Sequence, residues 1–106
     1  MAEIEKNIYF NELFDLYQEL LSPHQREIVY LYYGLNLSLG EIAEEKNISR
    51  NGVYDALKKG EEALVNFEEK LHLFQKRNER EKKILSLKDK LSPEDFNLVQ
   101  ETLKEE

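Results

Sequence analysis

Residues 38–59 read SLGEIAEEKNISRNGVYDALKK, and the fold turns on how the chain passes Asn47 in their middle. Ser38 with Glu41 three residues on is a capping box, in which each side chain satisfies a backbone N–H left free at a helix start, so a helix is expected over 39–46. Asn47 tolerates the left-handed backbone conformation that ends a helix sharply, and Ser49 is a good N-cap for the next one. Ile42, Ala43, Ile48, Val53 and Ala56 fall where two helices crossing steeply need apolar contacts, with Ala43 small enough to let them approach. The expectation is a helix-turn-helix, the arrangement by which many proteins place side chains in a nucleic-acid groove.

Upstream, residues 8–21 (IYFNELFDLYQELL) put apolar side chains at 10, 13, 14, 17, 20 and 21, the 3.6-residue stripe of an amphipathic first helix. It stops at Ser22-Pro23, because proline disfavours helical geometry in the residue before it and suits the first position of a new helix. Ser22 with Gln25 makes a second capping box, so a second helix should run from Pro23 to about Tyr33 and close near Gly34. Its segment IVYLYY (28–33) has strand-like residues, which makes a strand the alternative there.

Downstream, Val53, Leu57, Gly60, Leu64, Phe67, Leu71 and Phe74 are spaced 4, 3, 4, 3, 4 and 3, a heptad seam that predicts one helix from Arg50 through Phe74. Gly60 costs that helix about 1 kcal/mol relative to alanine. Polar Asn78 and Glu81 interrupt the seam within QKRNEREKK (75–83), which predicts a break or a solvent-exposed stretch at 76–82. Ile84, Leu87 and Leu91 start a stripe in another phase, and Ser92-Pro93 restarts a short last helix with Phe96, Val99 and Leu103 on one side. The expected organisation is all-α: a helix-turn-helix core with its long helix over 1–75, and a helical extension of the same domain over 76–106.

The chain has 106 residues, 41% hydrophobic and 35% charged, with two prolines and four glycines, a composition suited to one helical domain. No cysteine is present, which removes disulfides, zinc–thiolate sites and thiol nucleophiles. The longest apolar run is the six residues 28–33, and the N-terminus MAEIEKN lacks the charge and apolar pattern of a leader, so a soluble cytoplasmic protein without membrane contact is expected. His24 and His72 lie far apart without metal-ligand spacing, no glycine-rich phosphate loop occurs, and no serine has a sequence-suggested base. No catalytic residue, metal or cofactor is expected. The pairs Glu44-Glu45, Glu61-Glu62 and Glu68-Glu69 read as solvated helix faces.

LSPHQR (21–26), LYYGLNLSLGEIAEE (31–45) and ISRNGVYDALK (48–58) resemble the YlxM-like family of helix-turn-helix proteins, most densely over residues 13–60. At fold level the same region resembles the fourth region of bacterial sigma factors. The resemblance implies a non-catalytic regulatory or accessory protein of the signal recognition particle pathway, with the particle's RNA or protein components as partners.

If the second helix of the motif enters a groove, Ser49, Arg50, Asn51, Tyr54 and Asp55 are its early outward residues, with Lys58 and Lys59 reaching phosphates. An arginine fork matches guanine and an amide matches adenine. Against this, residues 22–60 hold five basic side chains (Arg26, Lys46, Arg50, Lys58, Lys59) and five acidic ones (Glu27, Glu41, Glu44, Glu45, Asp55), and the whole chain carries a formal charge of −7. A groove-binding unit ordinarily presents a basic face. The tyrosines at 30, 32 and 33 read as core rather than as base-stacking platforms, while Tyr54 reads as exposed. The basic cluster Lys76, Arg77, Arg80, Lys82 and Lys83 reads as a solvated connector, with contact to an RNA backbone the alternative. The heptad seam can pack on the first helix and also form a two-fold dimer through Leu57, Leu64, Phe67, Leu71 and Phe74, and a homodimer is expected. A dimeric DNA-binding transcriptional regulator is therefore a second reading, and a protein-interaction module a third.

Overall fold

The computed structural model describes residues 3–88 and 90–104. Among them are six α-helices and no strand: α1 (Glu3–Tyr17), α2 (Pro23–Val29), α3 (Leu39–Lys46), α4 (Arg50–Leu71), α5 (Leu73–Ser86) and α6 (Pro93–Lys104). The helices form two compact units that divide between His72 and Leu73.

The first unit is built on α4, against which α1, α2 and α3 all pack. The stripe of α1 supplies Phe10, Leu13, Phe14 and Tyr17, and α4 answers with Val53, Ala56, Leu57, Gly60 and Leu64, all buried. Helix α1 starts at Glu3, five residues before the expected boundary, with Glu3 and Glu5 placed where the helix dipole favours negative charge. It tightens into a 3₁₀ turn over Gln18–Leu20 before the proline restart at Ser22, whose Oγ accepts from the Gln25 N–H.

The IVYLYY segment is helical, but not regularly so. After Val29 the chain widens into a π-helical turn, Tyr30–Gly34, closed by the Leu35 N–H donating to the Tyr30 carbonyl at 3.0 Å. The turn buries Leu31 and Tyr33, half-buries Tyr32 and leaves Tyr30 46% exposed, so two of the three tyrosines face inward and one does not. Asn36 then takes a left-handed conformation at φ 59° and leads the chain to Ser38.

Two boundaries differ from the heptad expectation. Helix α4 closes at Leu71 rather than running through Phe74, because His72 adopts φ 55° and donates its N–H to the Glu68 carbonyl. Residues 76–82 are the middle of α5, a largely solvent-exposed stretch rather than a break, with Arg77 and Asn78 half-buried and the others exposed. The polarity of QKRNEREKK misleads here, since Lys, Arg, Glu and Gln are good helix formers and a hydrophilic run ends burial, not the helix.

In the second unit α5 packs against α6, with Ile84 buried and Leu87 and Leu91 half-buried. The Ser92 Oγ accepts from the Asp95 N–H at 3.2 Å and starts α6, where Phe96 and Val99 are half-buried. Leu103, the expected third member of that stripe, lies outside the described side chains.

Candidate nucleic-acid interface

The turn between α3 and α4 is set by local chemistry. The Ser38 Oγ accepts from the Glu41 N–H and the Glu41 carboxylate accepts from the Ser38 N–H, both at 3.1 Å, closing the expected capping box. Asn47 takes φ 54°, ψ 47°, and the Ile48 N–H donates back to the Ala43 carbonyl at 3.1 Å. The Ser49 Oγ then accepts from the Gly52 N–H at 3.0 Å and starts α4. Ile42 and Val53 are fully buried and Ala43 and Ala56 nearly so, which fixes the crossing of the two helices.

That crossing leaves one face of the first turns of α4 in solvent. Arg50, Asn51 and Asp55 are exposed, Tyr54 is 49% exposed, Lys59 is exposed and Lys58 is half-buried. Ser49 is exposed as well, but its hydroxyl is occupied by the cap. The Arg50 guanidinium folds back over the first turn of α3, where a Cβ built on Gly40 would lie 2.6 Å from its Nη2. Glycine at 40 thus leaves room for that side chain, a link between the two helices that spacing alone does not reveal.

Cations across the unit are largely committed to the protein itself. Arg26 donates from Nε to the Gln18 carbonyl at 3.0 Å and from Nη2 to the Leu21 carbonyl at 3.4 Å, pinning the end of α1 to α2. Lys46 pairs with Glu27. Lys58 stands 5.6 Å from the centre of the Tyr54 ring and 3.5 Å from the Glu61 carboxylate. Of the five basic residues over 22–60, Arg50 and Lys59 alone have no ion-pair or hydrogen-bond partner among the described residues.

Glu61 corrects the expectation of a solvated face. It is the one buried charged residue among those described, 6% exposed, and it accepts a hydrogen bond from the Tyr33 hydroxyl while Lys58 and Lys6 stand 3.5 and 3.7 Å from its oxygens. Two cations and a phenol offset the cost of taking a carboxylate out of water. Lys58 is therefore a counter-ion to Glu61 as well as an expected phosphate contact. Glu62 of the same pair is exposed, as are Glu44 and Glu45. The sequence carries only a faint trace of this, Glu61 lying four residues after Leu57 and three before Leu64 on the buried face.

Burial pushes the Tyr33 hydroxyl well above the ordinary phenol range, and its bond to Glu61 adds to the rise. Tyr9 moves the same way, through burial and then the charges of Glu68 and Glu69. An unfolded tyrosine ionises near pH ~10, so a folded value above that gives stability present in full below pH ~10 and lost as pH rises further. Urea titrations from pH 7 to 11 should show stability falling above pH ~10. Tyr33→Phe should flatten that fall and, by leaving Glu61 without its donor, cost about 1–2 kcal/mol at pH 7. An unchanged alkaline slope in Tyr33→Phe would contradict the assignment.

The expected dimer seam divides. Leu57 and Leu64, 5% and 0% exposed, belong to the core of the chain itself and are not offered to a second copy. Phe67 is half-buried beside Tyr17, whose hydroxyl donates to Glu68 at 2.7 Å; Leu71 is 44% exposed; Phe74 is half-buried beyond the His72 break. Among the described residues no cluster of His, Asp or Glu could hold a metal ion, and no helix is long and apolar enough to cross a membrane.

Residues 4–105 match the family model described as "Putative helix-turn-helix protein, YlxM / p13 like". UPF0122 proteins of Bacillus cereus (strain AH187), Bacillus anthracis (strain A0248) and Bacillus thuringiensis subsp. konkukian (strain 97-27) are each 47% identical over 102 residues, spanning 96% of this chain and 91% of theirs. With the turn at Asn47, the capped starts of α3 and α4 and this near full-length match, the chain belongs to the YlxM/p13-like helix-turn-helix family, UPF0122.

Proposed function

We propose that the protein is a non-catalytic cytoplasmic regulatory or accessory factor that binds nucleic acid through the exposed face of α4, with Arg50, Asn51, Tyr54 and Lys59 as its contacts. Lys58 and Asp55 flank that surface, and Ser49 shapes it from the cap. The signal recognition particle pathway, implied by the family resemblance, makes the particle's RNA the first partner to test and its protein components the second. Support comes from one observation above all: α4 buries Val53, Ala56 and Leu57 against the unit while Arg50, Asn51 and Tyr54 stay in solvent at its N-terminal end. That is the placement a groove-reading helix requires.

Titrating an RNA hairpin and a DNA duplex between about 50 and 200 mM salt tests the proposal. Wild-type affinity should fall with salt, and Arg50→Ala or Lys59→Ala should each reduce the log–log slope by about 0.7–0.9. Asn51→Ala should lower affinity with the slope unchanged, because an amide contact releases no counterion. Indifference of the wild type to both polymers would sink the nucleic-acid reading and leave the protein-interaction one.

A dimeric DNA-binding transcriptional regulator using the same face is the second reading, supported by the exposed Leu71 next to half-buried Phe67 at the end of α4. Light scattering decides it. A monomeric wild-type mass would end the idea, and a dimer that Leu71→Glu dissociates would sustain it.

A further inference from the structure

Among the described helices α5 alone carries net positive charge, with five basic and two acidic side chains in a chain of formal net charge −7. Helical geometry sorts that charge. Lys76, Arg80 and Lys83 stand at i, i+4 and i+7 on one face, about 6 and 4.5 Å apart along the axis. All three are exposed, and none of their side-chain nitrogens has an ion-pair or hydrogen-bond partner among the described residues. Of the two acids, Glu79 lies beside the row, accepting from Gln75 Nε2 at 3.2 Å and leaving the row a reduced but still positive charge, while Glu81 falls roughly 100° or more around the helix from the stripe.

We infer that Lys76, Arg80 and Lys83 form a second nucleic-acid contact, a phosphate-binding stripe separate from the helix-turn-helix face and supplying most of the salt-dependent affinity. The inference rests on the nucleic-acid reading above. The helix-turn-helix region is electrically neutral, and the side chains of two cations there lack partners among the described residues. Non-specific affinity for a nucleic acid scales with the number of phosphates neutralised. A row of three unpaired cations spaced comparably to neighbouring phosphates on one strand provides that number, while Arg50 and Asn51 are left to read sequence or shape.

The test uses the full chain and three variants, each checked for an unchanged thermal melt. Lys76→Gln/Arg80→Gln/Lys83→Gln should lower the salt slope for an RNA hairpin or a DNA duplex by about 2–3 and weaken binding at least tenfold near physiological salt. An equal loss of charge at Lys70, Lys88 and Lys90 should leave the slope unchanged. If it reproduces the loss, the effect is one of net charge and the stripe is overturned. Arg50→Ala/Asn51→Ala separates this inference from the reading beneath it. Loss of binding in that double variant with a normal stripe variant overturns the stripe and leaves the α4 face standing. Loss in the stripe variant with a normal double variant supports the stripe and overturns the α4 face. A wild type that binds neither polymer overturns both.

Discussion

Leu64→Glu is expected to abolish cooperative unfolding. Leu64 is 0% exposed on α4, the helix against which α1, α2 and α3 all pack. Truncating such a leucine to alanine costs about 2–5 kcal/mol. A carboxylate there loses the same packing and must also be desolvated or protonated with no cation built to receive it, unlike Glu61, which has Lys58, Lys6 and Tyr33. The combined cost exceeds what a domain of this size holds in reserve, about 5–10 kcal/mol. Near-ultraviolet circular dichroism should lose its tyrosine signal, and the melt should become shallow. The contrast with Leu71→Glu is the informative part. Leu71 shares the heptad phase but is 44% exposed, so that variant should melt like the wild type within about 0.5 kcal/mol. A folded Leu64→Glu would mean that the core is not where the structure has it.

Gly60→Val is the second large effect. A Cβ at position 60 would lie 2.6 Å from Val29 Cγ2, well inside van der Waals contact, and Val29 is 0% exposed with no room to retreat. The Val29 side chain of α2 occupies the space beside Gly60 of α4, and glycine leaves it room. Alanine would gain about 1 kcal/mol of helix propensity yet should still destabilise, because overpacking a close-packed contact costs about 1–3 kcal/mol. Valine, with two more methyls and lower helix propensity, should lose about 3–4 kcal/mol. Chemical denaturation measures both, and Val29→Ala in the Gly60→Ala background should recover part of the loss. Gly60→Ala more stable than the wild type would show that the two helices are farther apart than described.

Both effects bear on what was legible beforehand. Four signals sufficed for the helix-turn-helix, namely Ser38 with Glu41, Asn47 and Ser49, because a cap or a left-handed residue acts through backbone groups within about four positions. They placed α3 without error and both ends of the turn correctly. The heptad seam was legible as a pattern but not in its use. Spacing says that Val53, Leu57, Leu64 and Leu71 share a face, while the helices that cross α4 decide that the first three are buried and the last is not. The same limit applies to the end of α4, where His72 turns left-handed without a glycine to announce it.

By itself the sequence determined an all-helical chain, the positions of its proline and capped restarts, and the outward face carrying Arg50, Asn51 and Tyr54, since each depends on neighbours one helical turn away. Tertiary structure alone decided that Glu61 lies buried between Lys6, Lys58 and Tyr33 and that Gly60 of α4 is a close contact with Val29 of α2; of the two expectations for 76–82, a break or a solvent-exposed stretch, the second holds, within the continuous helix α5. Apart from Lys58, a neighbour of Glu61 on its own helix, the first two join residues 28–55 positions apart, and no local propensity encodes which helix crosses at what distance. The helix over 76–82 was hidden because charge density alone does not distinguish a solvated loop from a solvated helix.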